Sequence, residues 1–126
     1  MNISFNRIIL FVQNVEQVKN FYQQHFYFEV SEETKDQWVV LKAGNGEIAF
    51  HKAGISFKEN DLISVGSNNN VKLVFETDSD LHQLREALIQ NNVAMKEVIS
   101  FGNSPRLFCD GSDIEGNVFQ IVQVIF

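Results

Sequence analysis

The chain has few cysteines and few basic residues, and both shortages exclude classes of protein. Its 126 residues contain one cysteine, Cys109, so an intrachain disulfide framework is impossible and a reducing compartment is expected. Ten basic residues stand against sixteen acidic ones, which gives a net charge of −6. A sequence-independent nucleic-acid binder needs a basic surface, so we expect no nucleic-acid partner.

Long apolar runs are also missing. No stretch approaches the roughly 18 apolar residues of a membrane-spanning helix. The opening residues, MNISFNRIIL, lack the charged and apolar regions of a signal peptide. We therefore expect a soluble cytoplasmic protein with no membrane partner. The length fits a single domain over residues 1–126, with one hydrophobic core.

The first half of the chain predicts the order β-α-β-β-β. Residues 3–12 are mostly apolar and predict a buried strand. Asn14, with Gln17 three residues later, predicts the start of an amphipathic helix over residues 15–25. The three strands predicted after this helix cover residues 27–33, 37–43 and 47–53.

The same order returns after a polar, Gly- and Asn-rich segment, residues 54–69, which predicts a connecting loop. Residues 71–77 predict a strand, and Asp78 or Ser79 is expected to cap the helix that follows. The apolar face of this helix consists of Leu81, Leu84 and Leu88. The last three predicted strands cover residues 94–100, 105–110 and 117–126.

The residues themselves repeat as well. RIILF at residues 7–11 matches KLVFE at residues 72–76, an offset of 65 residues (72 − 7). Two copies of one unit, residues 1–53 and 70–126, explain this pattern. Neither copy could bury its strand face alone, so the two are expected to pair into one curved mixed sheet with a cleft. The predicted fold class is therefore α+β.

Three stretches resemble the glyoxalase/bleomycin-resistance/dioxygenase group, the vicinal oxygen chelate superfamily. They are RIILFVQNVEQVKNFYQQHFYFEV, VKLVFETDSDLHQLREALIQNNVAM and CDGSDIEGNVFQI. The last is similar to the family's Asp-Pro-Asp-Gly-Asn turn, with Ile114 where proline usually stands. The resemblance implies a repeated β-α-β-β-β fold, a small-molecule ligand and a homodimer.

The resemblance also implies four metal-ligand positions, normally filled by His or Glu, which fall on Arg7, Ala49, Lys72 and Gln120. Arg and Lys present no lone pair at neutral pH, and Ala has no ligand atom, so only the Gln120 carbonyl could coordinate. Two fixed positive charges would also repel a divalent cation at short range. We predict that the inherited metal site is lost and that the chain uses no cofactor.

Strand residues two apart share a face, so the positions beside these four can be assigned. The predicted face is mixed in character, with Ile9, Phe11, Trp38, Val40, Glu47, His51, Val74, Glu76, Val118 and Val122. The ligand-binding candidates are Arg7, Phe11, Trp38, Lys72 and Gln120. Two interpretations of the cations are open. They pair with Glu47 and Glu76 in a closed interior, or they grip a carboxylate, phosphate or enolate.

Three histidines are dispersed along the chain. His51 falls on the mixed face, where it is either a general base or a polar lining residue. His25 ends the first predicted helix, where a cation suits the dipole, and His82 is expected in solvent. Cys109 is expected to be a buried structural thiol, because neither a base nor a cation stands beside it in sequence.

Three functions compete. The first is a metal-free protein that binds an anionic or drug-like molecule in its cleft, as bleomycin-resistance members of the family do. The second is a lyase similar to lactoylglutathione lyase, or an isomerase, with His51 or Glu47 as base and an enolate held by Arg7 and Lys72. The third is an interacting protein that docks a partner through the sheet or the segment 54–70. The sequence leaves open whether the protein is an enzyme.

Overall fold

The computed structural model describes residues 2–54 and 71–124. The connecting loop predicted over residues 54–69 falls, apart from Gly54, outside these residues. The chain divides into two compact units, residues 1–63 and 64–126. Each unit contains one sheet, and the two are called the first and the second module below.

The first module has the predicted β-α-β-β-β order. Its elements are β1 (Arg7–Val12), α1 (Val15–Phe26), β2 (Glu29–Thr34), β3 (Trp38–Ala43) and β4 (Gly46–Lys52). In the sheet the strands lie in the order β1-β4-β3-β2. Strand β1 runs parallel to β4, and the other neighbours are antiparallel. Strand β2 is therefore an outer strand of this sheet.

Local chemistry determines where these elements begin and end. The Asn14 side chain accepts a hydrogen bond from the backbone N–H of Gln17 at 3.0 Å, which confirms the predicted helix cap. Helix α1 ends at Tyr27, whose backbone is left-handed at φ 59°. A two-residue loop joins β3 to β4, and its first residue, Gly44, takes φ +67° without a Cβ penalty.

Helix α1 covers one face of the first sheet with aromatic side chains. Val15, Val18 and Tyr22 are its buried residues. The Tyr22 ring stacks on Phe50 of β4 with 5.2 Å between centroids, and both side chains are fully buried. Stacked aromatic pairs at this separation are favourable beyond the area they bury. Helix α1 thus fixes the apolar face of the sheet and leaves the opposite face for other chemistry.

The second module repeats the plan with one more short strand. It contains β5 (Lys72–Thr77), α2 (Leu81–Gln90), β6 (Ala94–Met95), β7 (Ile99–Ser100), β8 (Arg106–Ser112) and β9 (Val118–Val124). The strands lie in the order β5-β9-β8-β6, and β7 also pairs with β8. Strand β5 is parallel to β9, as β1 is to β4 in the first module.

Helix α2 begins at a different cap from the one predicted. Asp80 is the N-cap, and its side chain accepts from the backbone N–H of Gln83 at 3.1 Å. The prediction of Asp78 or Ser79 is therefore wrong by one or two residues. Gln123 of β9 supplies a second acceptor, because its side-chain oxygen receives the N–H of Leu81 at 2.7 Å. Two of the open N–H groups at this helix end are satisfied in this way.

The strand predicted over residues 94–100 is broken into β6 and β7. The backbone N–H of Lys96 still bonds to Asp110 of β8. Its carbonyl, however, accepts from Arg85 Nε at 2.7 Å and from the Cys109 thiol at 3.2 Å. A carbonyl used by side chains cannot continue a strand ladder, which explains the interruption.

The turn before β9 is held by one carboxylate. Asp113 is buried, and its side chain accepts from the backbone N–H groups of Glu115 and Asn117 at 2.9 and 3.0 Å. The Asn117 side chain also donates to it, at 2.9 Å. These bonds close the DIEGN turn and fix the residue at which β9 begins.

Candidate functional site

The pairing of strands confirms which side chains share the face of the first sheet opposite helix α1. Arg7 lies beside Glu47, and Phe11 lies beside His51, across the parallel pair β1–β4. Trp38 lies beside His51 across β3–β4, which settles the register predicted for that strand. This set is called the first mixed face, and it comprises Arg7, Ile9, Phe11, Trp38, Val40, Glu47, Ala49 and His51.

A salt bridge occupies one end of the first mixed face. Arg7 donates from Nε and from Nη2 to the same Glu47 oxygen, at 3.0 and 2.9 Å. The guanidinium carbon also lies 5.8 Å from the centre of the Trp38 ring, within the range of a cation–π contact. Arg7 is thus held by a carboxylate and an aromatic face together. Its charge is neutralised locally by Glu47.

Three rings stand together at the other end. The His51 ring makes edge contacts with Phe11 and with Trp38, at centroid distances of 5.4 and 5.8 Å. Phe11 is 60% exposed, so a large aromatic surface is available to a ligand. The indole N–H of Trp38 donates to Glu32 of β2 at 2.8 Å, which fixes the orientation of that ring. Rigid aromatic side chains beside a few fixed polar groups are typical of small-molecule sites.

The hydrogen bond of His51 determines its tautomer. Nδ1 lies 2.8 Å from the backbone carbonyl of Lys52. A carbonyl can only accept, so Nδ1 carries the proton and donates it. In the neutral imidazole Nε2 is then the nitrogen with the lone pair. This is the form in which a histidine can take a proton from a bound molecule.

The second sheet also has a mixed face on the side opposite helix α2, and three of its side chains are joined. Lys72 donates from Nζ to one Asp110 oxygen at 2.9 Å, and the Gln120 amide donates to the other at 3.0 Å. One of the two interpretations left open by the sequence paired Lys72 with Glu76, whereas the salt bridge is made with Asp110. Asp110 lies directly beside Gln120 across β8–β9, which brings it within reach of Lys72.

Asp110 was missed by sequence reasoning. Burial acts to raise the pKa of its carboxyl, but the hydrogen bonds from Lys72 and Gln120 and the nearby charge of Lys96 outweigh it and lower the pKa. The available signal was the alternation in CDGSD, which places residues 110 and 112 on one face and Cys109 on the other. To connect Asp110 with Lys72 from the sequence, one would have to know that β8 pairs with β9.

The remaining chemical groups lie outside the mixed face of their own module. Cys109 is fully buried, and burial raises the pKa of its thiol, which agrees with a structural role. His25 ends α1, and burial lowers its pKa, so its neutral form is favoured rather than the expected cation. His82 is exposed, as predicted. Within residues 2–54 and 71–124, no three His, Cys, Asp or Glu side chains come together as a metal site would require.

The fold defined by the two modules is that of glyoxalase-like proteins. An integron cassette protein from the mobile metagenome of V. cholerae is 21% identical, with a TM-score of 0.72, and the match covers 98% of this chain and 97% of that one. The fosfomycin resistance protein FosX from Listeria monocytogenes is 16% identical, with a TM-score of 0.75 and coverage of 98% and 94%. Lactoylglutathione lyase from Agrobacterium tumefaciens is 14% identical, with a TM-score of 0.72 and coverage of 95% and 92%.

The sequence itself gives the family. Residues 4–119 match the Glyoxalase/Bleomycin resistance protein/Dioxygenase superfamily, and the chain belongs to that superfamily. A comparison with curated proteins finds no match. Neither helix in the described residues has the length and apolar character needed to cross a bilayer. The predicted resemblance and the predicted fold class are therefore confirmed.

Proposed function

We propose that the protein binds a small molecule on its first mixed face, without a metal at the four family positions. The observation that carries this proposal is the group of three rings in which His51 contacts both Phe11 and Trp38, beside the Arg7–Glu47 salt bridge. Such a surface combines a large apolar area with a few oriented polar groups. A planar or drug-like molecule would stack on the rings and meet the polar groups at its edge.

The residues at the family's metal positions do not fit a divalent ion. Arg7 and Lys72 are cations that donate to Glu47 and Asp110, and Ala49 offers no donor atom. The Gln120 amide N–H₂ donates to Asp110, which leaves its neutral carbonyl as a single weak ligand. Zn²⁺ and related ions require three or four good donors. We derive no chemical step through a metal for this reason.

An anionic ligand was one expectation from the sequence, and we infer that its charge is not the main source of binding. Each cation meant to grip an anion already has a carboxylate partner, at 2.9 Å in both modules. An anion would have to compete with that partner, so charge alone gives little affinity for it. Stacking on the exposed Phe11 ring carries more of the binding. The homodimer and the cytoplasmic location remain predictions.

Trp38 makes the proposal directly testable, because it is the chain's one tryptophan. Bleomycin, fosfomycin and S-lactoylglutathione are the probes, after the names of the family and of two similar structures. Titration of Trp38 fluorescence is expected to saturate with at least one of them. Phe11→Ala should then weaken that binding by about tenfold, since it removes most of one stacking surface.

The controls decide whether the signal comes from this face. Trp38→Phe should remove the fluorescence change while the same probe still raises the melting temperature. His82→Ala, which changes an exposed histidine of the second module, should leave the affinity unaltered. Three probes with no saturable change would overturn the proposal, and so would an affinity unaffected by Phe11→Ala.

A second candidate is an enzyme of the lyase type, and the tautomer of His51 favours it. With Nδ1–H bonded to the Lys52 carbonyl, Nε2 is ready to accept a proton. Glu47 is a poorer candidate for base, because one of its oxygens accepts two hydrogen bonds from Arg7. An enolate held by Arg7 and Lys72 would have to displace their carboxylates.

Turnover separates the two candidates. The assay measures formation of S-lactoylglutathione from the hemithioacetal of methylglyoxal and glutathione, which is the favourable direction of the reaction, in the presence of a chelator. If His51 is the general base, His51→Gln should lower the rate by about 100-fold or more, because that is the usual contribution of general-base catalysis. A binding protein should show saturable fluorescence and no turnover in the unaltered chain. A rate equal in His51→Gln would exclude His51 as the base.

A further inference from the structure

Two adjoining cavities are lined by residues of the second module. One has a volume of about 470 Å³ and is lined by Lys96, Glu97, Ile99 and Asp110. The other, about 270 Å³, shares Lys96 and Asp110 and extends along the sheet to Ser112 and Val118. These cavities together are called the second-sheet trough. Its volume is in the range of sites for small metabolites.

Asp110 sits at the junction of the two cavities with acceptor capacity to spare. Its oxygens each accept one hydrogen bond, from Lys72 and from Gln120. A carboxylate oxygen has two lone pairs, so each can accept a further donor. The same bonds fix the carboxylate in place and keep it charged, because the protonated form could not accept them as well.

Lys96 is the second fixed group of the trough. Its backbone is held on both sides, through its N–H to Asp110 and through its carbonyl to Arg85. The residue lines both cavities. None of the salt bridges found among the described residues involves Lys96, in contrast to Lys72. The trough therefore presents an oriented carboxylate and an ammonium group that can still bind an anion.

We propose that the second-sheet trough binds a small molecule that carries a carboxylate and an amine on the same carbon, which is the chemistry of a free α-amino acid. The ligand carboxylate pairs with the Lys96 ammonium, and its amine donates to the remaining lone pairs of Asp110. Ile99 offers an apolar contact to the side chain. The inference goes beyond the proposed function, since it concerns a second surface with its own ligand chemistry.

The charge pattern excludes simpler ligands. A plain anion would meet the Asp110 carboxylate, and a plain cation would meet Lys96 and Lys72. A molecule with both signs, a few ångströms apart, meets Lys96 and Asp110 without placing a like charge against either. The Glu97 carboxylate, which also lines the larger cavity, is exposed and pairs with Arg85 at 3.5 Å. Charge-assisted hydrogen bonds are worth more than neutral ones, so removing either ligand group should cost about tenfold or more in affinity.

Three probes of matched shape test this. Leucine carries both charged groups, isocaproate carries the carboxylate alone, and isoamylamine carries the amine alone. Each is titrated into isotope-labelled protein, and the backbone amide signals of Lys96 and Asp110 are followed by NMR. Leucine should bind about tenfold or more tightly than either partial ligand. Equal affinity of leucine and isocaproate, or no saturable shift with leucine, would overturn the proposal.

Two variants assign the two contacts. Lys96→Met keeps the length of the side chain, and it should abolish the preference for leucine over isoamylamine. Asp110→Asn keeps the shape, and it should abolish the preference for leucine over isocaproate. Lys42→Met, which removes an exposed lysine of the first sheet, is the control and should change neither ratio. An unaltered leucine affinity in Lys96→Met contradicts the assignment.

The outcome is separable from that of the proposed function. Trp38 fluorescence reports on the first mixed face, whereas the Lys96 and Asp110 signals report on the trough. A saturable Trp38 response without a leucine shift refutes the trough proposal alone. Leucine binding with no Trp38 response to bleomycin, fosfomycin or S-lactoylglutathione refutes the first-face proposal alone.

Discussion

Arg7 and Glu47 face each other across the parallel strands β1 and β4, and two guanidinium nitrogens reach the same carboxylate oxygen at 3.0 and 2.9 Å. Their side chains are 29% and 28% exposed, so the pair is partly shielded from water. The Arg7 guanidinium also lies over the Trp38 ring. The salt bridge therefore belongs to the candidate site as well as to the sheet.

A double-mutant cycle with Arg7→Met and Glu47→Gln measures this pair. We expect a coupling energy of about 0.5–1 kcal/mol in the free energy of unfolding, because solvent still screens much of the attraction. Urea denaturation of the four proteins gives the value. Lys42→Met combined with Glu47→Gln is the matched control, since Lys42 lies beside Glu47 on β3. Purely additive effects in the first cycle would show that the salt bridge contributes nothing.

The low pKa of Asp110 predicts a pH dependence of stability. A carboxyl with a lower pKa in the folded than in the unfolded protein stabilises the fold above its unfolded pKa, near 3.8. That contribution is lost as the pH falls through the folded pKa. Between about pH 5 and pH 3, Asp110→Asn should therefore lose less stability than the unaltered protein, by up to about 1 kcal/mol, since the Lys72 side chain is 45% exposed.

The measurement for Asp110 is urea unfolding at several pH values, compared between variants. Asp78→Asn is the control, because Asp78 is exposed and its substitution removes the same formal charge. It should follow the pH profile of the unaltered protein. If the profiles of Asp110→Asn and Asp78→Asn coincide, the bonds to Lys72 and Gln120 do not lower the pKa of Asp110.

Gly111 of β8 has no room for a side chain. A Cβ atom there would lie 2.5 Å from the Met95 sulfur and 2.6 Å from the Phe119 ring. Gly111→Ala should cost about 1–3 kcal/mol of stability, because the buried Phe119 ring must shift. Gly46→Ala is the matched control, since a Cβ at Gly46 meets nothing within 4 Å. Similar melting temperatures for the two variants would contradict this close packing.

The cap of helix α2 predicts a difference between neighbouring aspartates. Asp80→Ala removes the acceptor for the Gln83 N–H and should cost about 1 kcal/mol. Asp78→Ala should cost a few tenths of a kcal/mol at most, because Asp78 is exposed and lies outside the cap. Thermal unfolding of both variants makes the comparison. The opposite order would restore the cap expected from sequence.

The sequence allowed the face of each strand to be predicted, and it failed where partners come from distant strands. Alternation along β1 and β4 placed Arg7, Phe11, Glu47 and His51 together, since a strand has a period of two. The partner of Lys72 depends on β8 lying beside β9, and no local pattern encodes that neighbour. The cap of α2 was missed because Asp78, Ser79 and Asp80 are all good N-cap residues.

The broken strand over residues 94–100 also depends on contacts with distant elements. Its residues have the composition of one strand, yet the Lys96 carbonyl is used by Arg85 and Cys109, which come from α2 and β8. Tertiary contacts thus override the local preference at this point. The same interruption places Lys96 at the second-sheet trough. A part of the fold that the sequence did not predict therefore contributes to this proposed ligand site.

Strand β2, the outer strand of the first sheet, has a consequence for behaviour at high concentration. It carries Glu29, Glu32 and Glu33, and its register shifts between Val30 and Glu32. An outer strand with unpaired backbone groups is a template for aggregation, and charged side chains and a bulge both hinder another strand from adding to it. The glutamates and the bulge of β2 are therefore expected to hinder the addition of another strand, and Glu32 does so in addition to orienting Trp38.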